Sequence, residues 1–280
     1  MSLLRKILLP LSSLYGKITE ARNRLYDKGI LKATSFSVPV IVVGNLSVGG
    51  TGKTPQIEYL VRLLQDDYQI AILSRGYKRK TKGFMIANAN TKVEDIGDEP
   101  MQYHNKFKNC IVAVDVNRVN GIYQLLKLKK PPEVILLDDA YQHRKVEAGL
   151  NILLTSYDDL YVNDKMLPAG NLREKIDGAS RAQFIVVTKC PENLSENNQF
   201  EITKKLNVNL HQTVFFSTIN YANNIISKND IIDLDGLSNY EVVLVTGIAK
   251  TKPLTEFLNK EKIRFKHLQF SDHHNFTKAN

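Results

Sequence analysis

The stretch Gly44-Asn45-Leu46-Ser47-Val48-Gly49-Gly50-Thr51-Gly52-Lys53-Thr54-Pro55 follows the aliphatic run at residues 40–43. It is close to G-x-x-x-x-G-K-[ST], with Ser47 where the first glycine belongs. In such a loop the backbone N–H groups of Ser47, Val48, Gly49, Gly50, Thr51 and Gly52 cradle phosphates at a helix N-terminus. Lys53 reaches the β- and γ-phosphates, and the Thr54 hydroxyl takes Mg²⁺. Pro55 suits the first helical turn. A second run, Val134-Ile135-Leu136-Leu137-Asp138-Asp139, puts two acids at the end of four aliphatic residues. That is the pattern of the metal-side acid that accompanies a phosphate loop, so Asp138 and Asp139 are metal candidates. Together the two runs imply nucleoside-triphosphate chemistry with Mg²⁺. Guanine specificity is disfavoured. The segment nearest to N-K-x-D is Thr188-Lys189-Cys190-Pro191, where Thr replaces Asn and Pro replaces Asp.

These residues need a sheet to hold them. Val- and Ile-rich runs at 39–44, 70–75, 110–115, 133–138, 150–155 and 183–188 read as strands buried on both faces. Between them lie helical stretches, such as 53–65 with Ile57, Leu60, Val61 and Leu64 on one face. The expected fold is α/β: a mostly parallel sheet flanked by helices, resembling a P-loop NTPase. Its ligand then lies at the carboxyl ends of the strands.

Composition narrows the partners. The 280 residues are 43% hydrophobic and 24% charged, which excludes a disordered chain. Two cysteines, Cys110 and Cys190, are too few for a disulfide framework and have no metal-ligand spacing; a reducing compartment fits. The net charge of +9 favours an anionic partner. Seven basic and two acidic residues of that balance fall within 1–32, interleaved with leucines at helical spacing. Leucines in place of aromatics argue against nucleic acid. The longest uncharged run there is ten residues, 7–16, half of what a spanning helix needs, and Pro10 should kink or restart it. A basic amphipathic helix over 1–32 is therefore expected. Lying on a membrane surface through residues 1–25 and packing on its own domain are both open to it.

Beyond these patterns, several segments resemble one family, tetraacyldisaccharide 4′-kinase. They are VPVIVVGNLSVGGTGKTP (38–55), LSRGYKRK (73–80), DIGDEP (95–100), DVNRVNG (115–121), LLDDAYQHR (136–144), LPAGNLRE (167–174), VTKCP (187–191) and DHHNF (272–276). The resemblance implies transfer of the ATP γ-phosphoryl group to the 4′-hydroxyl of a tetraacyldisaccharide 1-phosphate in lipid A biosynthesis. It also implies a peripheral enzyme at the cytoplasmic face of the inner membrane. It makes Asp98 the group that accepts the hydroxyl proton, with His273 as its partner. Asp138, Asp139 and Glu99 would organise the metal. Arg118 and Arg173 would meet phosphate oxygens. Tyr77, Gln142, His143 and Glu174 would line the substrate side. Read without the resemblance, Asp98 before Glu99-Pro100 fits a helix N-cap. A P-loop NTPase switch acting on a protein partner is the alternative from a different class.

The organisation expected is a membrane-associating helix at 1–32, a kinase domain at 33–210, an extended linker at 211–221 and a second α/β domain at 222–280. That second part offers only two strands, at 241–246 and 264–270, and one helix near 251–261. It is expected to be incomplete, because the family it resembles usually continues for several dozen residues.

Overall fold

A computed structural model describes residues 5, 7–226, 230–248, 250–271 and 274. The chain divides into two compact units, Met1–Thr218 and Ile219–Asn280.

The strands of the first unit are β1 (Val40–Asn45), β2 (Ile70–Ser74), β3 (Met85–Ile86), β4 (Ile111–Val114), β5 (Val134–Asp138), β6 (Leu150–Ser156), β7 (Phe184–Cys190) and β8 (Thr213–Thr218). They form one sheet in the order β3-β4-β2-β5-β1-β6-β7-β8. Every pairing is parallel except β3 with β4. The helices are α1 (Leu9–Asp27), α2 (Lys53–Leu64), α3 (Val93–Ile96), α4 (Asp98–Lys106), α5 (Arg118–Leu126) and α6 (Glu196–Leu206). Side chains alternate across the central strands, and each face has its own core. Val40, Val42, Ile135 and Leu137 join one. Val43, Val134 and Leu136 join the other, against Ile57 and Val61 of α2. Burial on both faces is why these strands read as unbroken aliphatic runs.

The segment at 211–221, expected as a linker, instead contributes β8, which extends the sheet beside β7. Only Val214 and Phe216 of this strand are partly buried and the other four residues are exposed, so it lacks the continuous hydrophobicity of the inner strands.

Helix α1 begins with Pro10 in its first turn, where the missing N–H costs nothing. Of the expected kink or restart, this is the restart: Ile7 is helical, Leu8 is a turn, and the helix begins again at Leu9. The helix ends at Gly29, whose φ of 69° is left-handed, with Ile30 N–H donating back to the Leu25 carbonyl at 2.9 Å.

The second unit holds the two-stranded antiparallel pair β9 (Asn224–Ile226) and β10 (Ile231–Asp233), and the parallel pair β11 (Val242–Thr246) and β12 (Phe265–Gln269). Helix α7 (Lys252–Lys260) connects β11 to β12. Leu258 and Ile263, with Leu234, form a small core there.

One close approach in the sheet has a measurable consequence. A Cβ placed on Gly44 would lie 2.6 Å from the Tyr141 Cβ and 3.0 Å from its backbone nitrogen. Gly44→Ala should therefore lower stability by about 1–3 kcal/mol. A denaturation midpoint equal to that of the unmodified protein would show that the strand yields freely.

Candidate active site

Strands β1 and β5 are neighbours, with Val43 opposite Asp138. The phosphate loop and the acid pair therefore leave the sheet side by side at its carboxyl edge. The loop turns on two left-handed glycines, Gly49 (φ 119°) and Gly52 (φ 87°), and Gly52 caps α2. No L-residue with a Cβ adopts such angles cheaply. Neighbouring elements fix the loop. Val48 N–H donates to the Asn171 carbonyl at 2.8 Å. The Thr188 hydroxyl donates to the Thr51 carbonyl at 2.9 Å. The Lys189 ammonium donates to the Gly50 carbonyl. Ser47 is bridged to Leu172.

Lys53, at the first position of α2, lies 3.6 Å from Asp139 Oδ1 and donates to Asn45 Oδ1 at 3.4 Å. Arg173 holds the same Asp139 oxygen at 2.8 Å. Burial alone would raise the Asp139 carboxyl, but Lys53, Arg173 and Arg118 hold it below its usual value. Asp139 bends the chain away from β5 with a left-handed φ of 47°.

Asp138 is a different acid. It is enclosed, and burial, with Asp139 beside it, raises its carboxyl to about 6. The Ser74 hydroxyl donates to it at 3.0 Å and the Tyr103 hydroxyl at 3.4 Å. Glu99 is close enough to push both Asp138 and Tyr103 upward.

Arg118 opens α5 and is 3% exposed. Its guanidinium donates to the Asp115 carbonyl at 2.9 Å and to the Asp138 carbonyl at 3.5 Å. Among the described residues its Nε has no partner. Burial lowers its value to about 10, against the attraction of Asp138 and Asp139.

Asp98 is the first residue of α4. The cap position belongs to Gly97, so the N-cap expected for Asp98 falls one residue earlier. A Cβ on Gly97 would meet the Tyr77 carbonyl at 2.7 Å, which puts Tyr77 next to the Asp98 turn. The Tyr77 ring is exposed and faces the Lys78 ammonium.

Of the two residues Gln142 and Glu174, expected on the substrate side, Gln142 is half-buried and Glu174 is enclosed. Glu174 is wholly buried. Its oxygens accept from Asn23 at 2.7 Å, from Gln142 at 3.0 Å, and from Arg181 at 2.9 and 3.0 Å. Gln142 also donates to the Asn45 carbonyl at 2.9 Å. Both Glu174 oxygens thus accept hydrogen bonds from side chains of the first unit.

His143 is half-buried, with an enclosed Nε2 that has no partner among the described residues. Burial first, then Arg118, Lys145, Arg22 and Arg75, lower it to about 4. His273 and Asp272 lie outside the described residues.

Lys53, Asp138, Asp139, Arg118 and Arg173 thus gather at one sheet edge, and Thr54 joins them through a hydrogen bond with Tyr103. Asn45, Ser74, Tyr103 and Thr188 join them without having been singled out from sequence. Asn45, Ser74 and Thr188 sit at or near strand carboxyl ends, where the topology rule for α/β sheets would have directed attention. Tyr103, inside α4, carries no such signal.

The lowered His143 value has a definite sign. The unfolded chain binds the proton more tightly, so this contribution to stability is complete above about 6.5 and is lost as pH falls towards about 4. Replacing His143 with Asn should flatten the stability–pH curve across that window. An unchanged slope in denaturation at pH 4.5–7 would show that the ring titrates normally.

A family profile described as Tetraacyldisaccharide-1-P 4'-kinase matches residues 4–280. The tetraacyldisaccharide 4'-kinase of Flavobacterium johnsoniae is 58% identical over 279 residues, covering 100% of this chain and 82% of that protein. The same enzyme of Bacteroides thetaiotaomicron is 47% identical over 285 residues, covering 98% and 75%. Among solved structures, LpxK from Aquifex aeolicus in complex with ATP superimposes with a TM-score of 0.82 at 37% identity, covering 98% of this chain and 85% of that one.

Proposed function

The chain belongs to the tetraacyldisaccharide 4'-kinase family, and from that premise we propose that it transfers the γ-phosphoryl group of ATP to the 4′-hydroxyl of a tetraacyldisaccharide 1-phosphate in lipid A biosynthesis. The observation that carries this reading is the convergence of Lys53, Arg173 and Arg118 on Asp139 and its neighbour Asp138, beside a glycine loop.

ATP phosphates lie along residues 47–54. Lys53, held between Asn45 and Asp139, turns its ammonium to the β- and γ-phosphates. The Thr54 hydroxyl and the Asp138 and Asp139 carboxylates, with Glu99 near, are hard oxygen donors suited to Mg²⁺. No three acidic, histidine or cysteine side chains cluster as a cage among the described residues. Held by these oxygens, Mg²⁺ would supply neutralisation of phosphate charge. Arg118 and Arg173 stabilise charge on the transferring oxygens with a planar fork. Asp98, beside Tyr77, accepts the proton of the attacking hydroxyl. The cations about His143, namely Arg22, Arg75, Arg118 and Lys145, suit a substrate that already carries a phosphate.

The orientation of α1 supports action at a membrane. Ser12, Gly16 and Thr19 face the protein, and Leu11, Leu14 and Ile18 are 56%, 58% and 60% exposed. The helix therefore docks by its small, polar stripe and presents leucines outward, with Lys17, Arg24 and Lys28 also exposed. That is the reverse of a helix packed by its apolar face, and it suits peripheral insertion into anionic lipid. No helix among the described residues is long and apolar enough to cross a bilayer.

Lys53→Ala should abolish transfer of label from γ-labelled ATP to the glycolipid, seen by thin-layer chromatography; turnover at the unmodified rate would remove Lys53 from the phosphate site. Asp98→Asn should lower kcat by roughly 10²–10⁴ if the carboxylate is the base, whereas a purely structural acid predicts only a shift in melting. A triple variant, Leu11→Ser with Leu14→Ser and Ile18→Ser, should stop co-sedimenting with anionic vesicles at an unchanged unfolding midpoint. Undiminished pelleting would count against the membrane face.

A further inference from the structure

We propose that α1 also positions the catalytic arginine: Asn23 and Tyr15 hold the segment 173–174 so that Arg173 stays on Asp139. This rests on the kinase reading of the site and extends it to residues outside the phosphate loop and the acid pair.

Three contacts make the connection. The Tyr15 hydroxyl donates to the Arg173 carbonyl at 2.9 Å. The Asn23 amide donates to Glu174 Oε2 at 2.7 Å. Arg173 N–H donates to the Leu46 carbonyl at 2.7 Å, immediately before the phosphate loop. Residues 173 and 174 are therefore gripped from the helix on one side and from the end of β1 on the other. Between those grips the Arg173 guanidinium reaches Asp139 at 2.8 Å.

The grip is specific. Glu174 is fully buried, and its other partners, Arg181 and Gln142, lie on the domain side. Asn23 is the contribution of α1 to that enclosed carboxylate. Asn23 is in turn fixed: its carbonyl accepts from Arg144 at 2.8 Å and its side-chain oxygen accepts from Arg22 at 3.1 Å. Ser12 fastens the other end of the docked stripe, accepting from Ala169 N–H at 2.9 Å. A helix meant only as an anchor would need a docked face, but no donor aimed at a buried acid beside a catalytic arginine. A shift of α1 on the domain moves residues 173–174, and with them the arginine that neutralises Asp139.

The test is a double-mutant cycle on the full chain, with lipid substrate in mixed micelles and ATP. Asn23→Ala should lower kcat by about tenfold, the scale of one lost hydrogen bond to a charged group. KM for ATP, the stoichiometry of nucleotide binding and vesicle co-sedimentation should stay as in the unmodified protein. In an Arg173→Ala background the same substitution should cost almost nothing further, because Asn23 acts through Arg173. Tyr15→Phe should repeat the pattern more weakly. Full additivity of Asn23→Ala and Arg173→Ala, or an unchanged kcat in Asn23→Ala, would overturn the proposal. If the unmodified protein itself transfers no label to lipid, the kinase reading fails instead, so the two failures are distinguishable.

Discussion

Two adjacent carboxylates at the end of a buried strand are the constraint around which the first unit is arranged. Asp138 and Asp139 share one sheet edge, and a pair of like charges so close cannot both ionise without help. The fold separates their roles. Asp138 continues β5 into the interior, loses its water and is raised to about 6. Asp139 turns out through a left-handed residue and meets Lys53 and Arg173. One acid is thereby raised by burial beneath the Ser74 and Tyr103 hydroxyls, and the other is held low between two cations. Phosphoryl transfer is mostly positioning and charge stabilisation, and those cations are the groups a phosphate would recruit.

The supporting elements follow from that arrangement. Register between β1 and β5 puts the loop beside the acids. The end of β7 supplies Thr188 and Lys189, which tie down loop carbonyls. The LPAGNLRE segment lies against both loop and helix, since Leu172 bridges Ser47 and Ala169 binds Ser12. A hydrogen bond to a buried charge contributes about 1.5–3 kcal/mol and is costly to leave unmade. The Asn23, Gln142 and Arg181 contacts to Glu174 therefore hold the helix and the segment as one piece.

Much of the sheet and the phosphate site was legible in the chain because their signals are local. A strand buried on both faces must be aliphatic throughout, and a phosphate loop needs glycine where φ is positive. Residues 40–45 and 134–138 meet the first demand, and Gly49 and Gly52 meet the second. Strand β8 was hidden because it lies at the sheet edge and exposes four of its six residues, so Thr213, Phe215, Ser217 and Thr218 resemble a linker. The orientation of α1 was hidden for another reason. Periodicity identifies two faces, but only the partner decides which one docks, and the partner of Asn23 lies 151 residues away. The enclosure of Glu174 by Arg181 was hidden likewise, since nothing local distinguishes an exposed acid from a buried, paired one. The resemblance to the kinase family named Asp98 and Arg173, and geometry then supplied the reasons for their placement.

The most direct measurement is phosphorus–proton correlation NMR of the glycolipid recovered after incubation with ATP and Mg²⁺. The account predicts a new phosphomonoester coupled to the proton at the 4′ carbon of the distal sugar, formed in step with ADP. ADP accompanied by an equal amount of inorganic phosphate, with no new ester on the lipid, would contradict it.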